Sequence, residues 1–168
     1  EENVEELELR VKEGAKGVKM HPTRNLFHPA DRRLWPFYKR AEDMDVPIFT
    51  HSGAMSYSNA FLGLNGRPTD YKEVLDSFPR LRIVMLHLGW GYFDEVIQIA
   101  DDYPIVKFTS TDIIEGTETP HRFSDEELVE LVRRVGAERI IFGTDWVFND
   151  FAPNVERLAL LPLTDNEK

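Results

Sequence analysis

The chain has 168 residues, 42% of them hydrophobic and 30% charged, which is enough for one domain with its own core. Thirty acids against twenty bases give a net charge of −10, which argues against a nucleic-acid or anionic-membrane partner. There is no cysteine to form a disulfide or a thiolate metal site, no apolar run near the roughly 18 residues of a membrane span, and no leader-like segment.

In chain order, Val4, Leu7 and Val11 stand at helical spacing and predict a helix over 3–13 that Gly14 stops. "KGVKMHP" (16–22) reads as a short strand ending in His21 and broken by Pro22. A polar loop with Arg24, Asn25 and His28 leads to a helix starting near Pro36. "VPIFTHSG" (46–53) is a buried-type strand that ends in His51 and is punctuated by Gly53. After a long loop, a helix over 70–78 carries Tyr71, Val74, Leu75 and Phe78 on one face. "LRIVMLHLGWG" (81–91) is the most apolar strand, ending in His87 before a glycine-rich turn.

A helix over 93–102 and a strand over 105–111, "IVKFTST", come next, and His121 falls in the loop beyond. The helix over 123–136 has full punctuation: Ser124 as N-cap, Glu127 closing a capping box, Phe123 and Leu128 as a staple, and Gly136 as the stop. "RIIFGTDW" (139–146) is a strand that runs out into Asp145 and Trp146, and a last helix lies near 154–161.

Strand and helix alternate five times, and the strands are continuously apolar, the pattern of a parallel sheet covered by helices. Polar groups end the strands at positions 21, 51, 87, 111 and 145, about 31 residues apart on average. Eight such units make about 250 residues, the size of a (β/α)8 TIM barrel, of which this chain supplies five units in a single domain over 1–168. An open doubly wound sheet is disfavoured because no glycine-rich phosphate fingerprint follows the first strand.

In a parallel barrel the carboxyl ends of the strands converge on one face, so His51, His87 and Asp145 would meet there. Neutral imidazole and carboxylate suit zinc and similar divalent ions, and an acid beside an activated water can take its proton. A single histidine at a strand end is more often a hydrogen-bonded structural residue; the ordered set of three changes the balance toward a site. His21 and Lys19 divide between structure and substrate contact. Arg24 could hold a substrate carboxylate through a bidentate pair, and Trp146 belongs either to substrate or to rim packing.

With "GVKMHP", "VPIFTHSG", "IVMLHLGW" and "ERIIFGTDW" in order, the chain resembles the amidohydrolase superfamily, in its branch of aminocarboxymuconate-semialdehyde decarboxylase and related hydrolases. The resemblance implies strands four to eight of the barrel, a divalent metal (zinc first) and a small-molecule substrate. It implies that His51 is a metal ligand, that His87 is an acid/base or orients the activated water, and that Asp145 is the remaining ligand or the general base. Apart from the resemblance, the candidate substrate contacts are His21, Arg24 and Trp146. The family's first-strand His-X-His pair is absent, and His21 and His28 do not form that motif.

The expected function is a metal-dependent, cytoplasmic hydrolase of a small organic acid, ester, lactone or amide. The alternatives are a non-oxidative decarboxylase on the same residues, or an inactive barrel fragment that associates with other chains. A phosphate-binding barrel is weaker, for want of a glycine-rich anion cradle. Open strand edges predict a homo-oligomer or a part of a longer chain.

Overall fold

A computed structural model of the chain describes residues 2–54, 65–115 and 123–168; most of the loop after His51, and His121, lie outside them. Among these residues five parallel strands lie side by side in chain order: β1 (Val18–Met20), β2 (Ile48–Thr50), β3 (Ile83–Met85), β4 (Lys107–Thr109) and β5 (Ile140–Ile141). Helices α1 (Glu2–Lys12), α2 (Pro22–Asn25), α3 (Trp35–Asp43), α4 (Lys72–Ser77), α5 (Phe93–Asp102), α6 (Asp125–Val135) and α7 (Phe151–Leu160) fill the connections. Each strand is followed by a helix, as the repeat predicts.

The register sorts the side chains by face. Ile48 pairs with Ile83 and Thr50 with Met85, and these four are fully buried on the helix side. The alternate row, Lys19 with Phe49 and Phe49 with Val84, faces the concave side. Against the helix side pack Tyr38 and Ala41 of α3, Val74 and Leu75 of α4, and Val96, Ile99 and Ala100 of α5, all in one cluster. Each large aliphatic chain buried this way contributes about 1.5–3 kcal/mol.

Helix α6 starts as its sequence predicts. The Ser124 hydroxyl accepts from the Glu127 amide at 3.2 Å, and the Glu127 carboxylate accepts from the Ser124 amide at 2.8 Å. Between α5 and β4, the Arg139 guanidinium donates to the carbonyls of Ala100, Tyr103 and Val106. It thereby satisfies acceptors that the helix end leaves open.

Three expectations need correction. The strand expected to end in His87 stops at Met85, because His87 (φ 60°) and Leu88 (φ 42°) take left-handed backbone that no ladder accommodates. The strand expected over 139–144 pairs only at Ile140 and Ile141. The polar loop after β1 contains the helical turn α2 and a second turn at Arg32–Leu34, since His21 and Asp31 cap them.

Among the described residues the sheet is open at both ends. Beside β1 lies a groove of about 600 Å³ lined by Leu7, Val11, Met20, Phe27 and Leu34. Beyond β5, Phe142, Phe151 and Leu160 are 37%, 59% and 81% exposed. The arc is curved nonetheless: Lys19 on β1 feels the charge of Asp145 beyond β5, with three strands between them in the order.

Candidate active site at the strand ends

His21, His51 and His87 leave β1, β2 and β3 on the same end of the sheet and form one imidazole cluster. His21 stacks on His51 with centroids 4.1 Å apart and planes 11° apart, and His51 meets His87 at 4.8 Å and 58°. His51 and His87 are 8% and 7% exposed. Burial, reinforced by His87, His21 and the Lys19 ammonium, pushes the His51 imidazole down to about 2. Burial and then the charges of Lys19, Arg24 and His87 push His21 down to about 4. Both rings are therefore neutral at pH 7 and carry a lone pair. His51 Nε2 is buried and has no hydrogen-bond partner among the described residues. An acceptor so placed is uncommon in a folded protein, and a cation is one thing that satisfies it.

The loops that hold these rings are tied by backbone. Gly53 forms a parallel bridge with Trp90, and the Ala54 amide donates to the Trp90 carbonyl at 2.8 Å. This joins the exits of β2 and β3. The His87 amide donates to the hydroxyls of Thr109 (3.2 Å) and Thr111 (3.1 Å), which joins β3 to the end of β4. Ser110 and Gly143 exchange hydrogen bonds between β4 and β5.

Asp145 (φ 61°) lies in this group, but the residue that sequence reading missed lies nearer to His87. Asp112 Oδ2 stands 3.3 Å from His87 Nδ1, and the Asn149 side-chain amide donates to Asp112 Oδ1. One ligand-type atom from each of His87, Asp112 and Asp145 falls within 4.8 Å of the others. The available signal was position: Asp112 follows Thr111, the polar group read as the end of the fourth strand, by one residue.

The remaining candidates sit at the rim. The Arg24 amide caps toward His21 Nδ1 at 3.2 Å while its side chain stays exposed. Trp146 is 70% exposed and outside the imidazole cluster. Burial lowers the Lys19 ammonium, and Asp145 opposes that shift.

A model of the amidohydrolase family matches residues 1–168. The chain belongs to that family. The chain is 26% identical to the gamma-resorcylate decarboxylase of Polaromonas sp. (strain JS666), over 70% of this chain and 45% of that enzyme. Its fold is similar to that of an uncharacterized TIM-barrel protein from Bordetella bronchiseptica, with a TM-score of 0.79 and 22% identity over 96% of this chain and 55% of that one. It is also similar to a dihydroxybenzoic acid decarboxylase from Polaromonas sp. JS666 solved with manganese and the inhibitor 2-nitroresorcinol, with a TM-score of 0.57 and 16% identity over 84% and 51% of the two chains. The chain spans about half the length of the relatives it matches. The fold is thus a partial (β/α)8 barrel. Among the described residues no helix is long and apolar enough to cross a membrane.

Proposed function

We propose that the strand ends of this chain form the divalent-metal and proton-transfer part of a non-oxidative decarboxylase for a small hydroxylated aromatic carboxylate. The observation that carries this is the cluster of three imidazoles beside Asp145, with His21 and His51 held neutral by burial and His51 Nε2 without a hydrogen-bond partner among the described residues. Hydrolysis of an ester, lactone or amide, the first expectation from sequence, uses the same side chains. The likeness to decarboxylases favours the second.

The donor set fits a divalent ion. His51 and Asp145 would hold it, and imidazole with carboxylate suits zinc or manganese; the manganese of the Polaromonas structure supports the second choice. When bound, it would neutralise the substrate's carboxylate and neighbouring hydroxyl oxygens. Lys19 and Arg24 draw an anionic substrate toward the cluster. His87, with Asp145 nearby, delivers a proton to the ring carbon that bears the carboxylate. The bond to that carboxylate then breaks, carbon dioxide leaves, and the bonding pair restores the aromatic ring. The histidine recovers its proton from water.

The test is turnover of 2,6-dihydroxybenzoate by the protein loaded with manganese or zinc. Release of carbon dioxide and resorcinol, lost in H87Q, is the expected result. Hydrolysis of small esters or lactones with no decarboxylation would overturn the reading in favour of the hydrolase. An absence of both would favour an associating barrel segment.

A further inference from the structure

We infer that Asp112 is a positioning residue for His87, the two forming a carboxylate–imidazole dyad that fixes which ring nitrogen carries the proton. The inference rests on the reading of His87 as the proton donor, and it names the residue that prepares it.

The argument is one of donors and acceptors. His87 is 7% exposed, and its Nδ1 faces Asp112 Oδ2 at 3.3 Å and Thr111 Oγ1 at 3.3 Å. A hydroxyl can donate or accept, so Thr111 leaves the tautomer open. An ionised carboxylate can only accept. At this distance Asp112 favours the hydrogen on Nδ1, and the lone pair falls to Nε2, which takes a proton from water and hands it to the substrate while the carboxylate steadies the doubly protonated ring. The carboxylate is itself held: its Oδ1 accepts from the Asn149 amide, which leaves Oδ2 for the histidine. The histidine backbone is fixed too, through the Thr109 and Thr111 hydroxyls. A ring held by one nitrogen and by its own amide presents the other nitrogen in one direction. Outer partners of this kind raise the basicity of an imidazole as well as orient it.

The competing role is direct cation ligation, because Asp112, His87 and Asp145 offer ligand atoms within 4.8 Å of one another. Against it, both carboxylate oxygens of Asp112 already face polar partners, Asn149 and His87.

Asp112 has φ 63°, a conformation that asparagine tolerates and alanine resists, so D112N is the clean substitution. Its amide can donate to Nδ1 and invert the tautomer with the geometry kept, and a carboxylate-to-amide change of this kind removes catalysis through the wrong tautomer. The experiment is 15N NMR of the metal-free protein labelled at histidine, with the His87 signals assigned by their loss in H87Q. Manganese binding by equilibrium dialysis and decarboxylation kinetics accompany it. We expect the Nδ1–H tautomer in the wild type and a shift to Nε2–H in D112N. We also expect a fall in kcat of roughly 100-fold or more with KM within about twofold, partial recovery in D112E, and unchanged manganese affinity in D112N. An Nε2–H tautomer in the wild type, or the same tautomer in D112N, overturns the proposal. Loss of manganese in D112N overturns it as well and makes Asp112 a ligand. If the wild type does not decarboxylate, the decarboxylase reading fails, and the tautomer and binding measurements still decide the dyad.

Discussion

Gly53→Ala perturbs the joint that Gly53 and Trp90 make between the exits of β2 and β3. Gly53 has φ 121°, and a Cβ there would lie 2.6 Å from the Trp90 nitrogen and 2.8 Å from its oxygen. Both are backbone atoms within the parallel bridge, so neither can turn aside. The backbone conformation alone costs an alanine about 1–3 kcal/mol. The overlap adds about 1–3 kcal/mol, the usual range for forced packing. Gly14 separates the two terms: it has φ 110°, and nothing lies within 4 Å of its Cβ position. Gly14→Ala should therefore show the conformational cost and little else. Urea denaturation followed by circular dichroism measures both variants, with manganese affinity measured alongside. Gly53→Ala should lose about 1–3 kcal/mol more than Gly14→Ala, and its midpoint temperature should fall further by roughly 2–4 °C per kcal/mol. It should also weaken manganese binding, because His51 lies two residues before the joint. Equal losses in the two variants would refute the steric account of the bridge, and unchanged manganese affinity would refute its link to the site.

His51→Ala should lower manganese affinity more than the roughly 10–100-fold typical of an outer-shell partner; calorimetric titration that shows an unchanged constant would remove His51 from the ligand set. Acid should destabilise the metal-free protein. His21 and His51 are held neutral in the fold, at about 4 and about 2, while unfolded imidazoles protonate near pH 6.5. Their contribution is thus whole above about pH 6.5 and is lost as pH falls toward the folded values. The slope is at most about 1.4 kcal/mol per pH unit for His51 and less for the half-exposed His21. Urea midpoints at pH 7.5 and 5.5 should differ less in H51Q than in the wild type; an equal difference would count against the assignment. This chain alone should self-associate through its open edges, and serine at Phe142, Phe151 and Leu160 should reduce that. A compact monomer at high concentration by light scattering would be the contrary result.

Much of this protein can be read along the chain, because the signals are local. A continuous apolar run such as "IVML" must be covered on both faces, and Ser124 with Glu127 starts a helix within one turn. The strand-end positions of His51, His87 and Asp145 follow from the same periodicity. Side-chain direction does not. His87 enters the cluster because its backbone leaves the strand at φ 60°, a turn that "LHLG" alone does not announce. The stacking of His21 on His51 depends on β1 and β2 pairing in one register, which no local pattern specifies. Asp112 was passed over because its partners, His87 and Asn149, lie 25 residues before it and 37 after it, and only the curved sheet brings them to one carboxylate. Periodicity and capping chose the strands and helices of this chain; contacts between distant strand ends, made when the sheet curved, chose which side chains share a site.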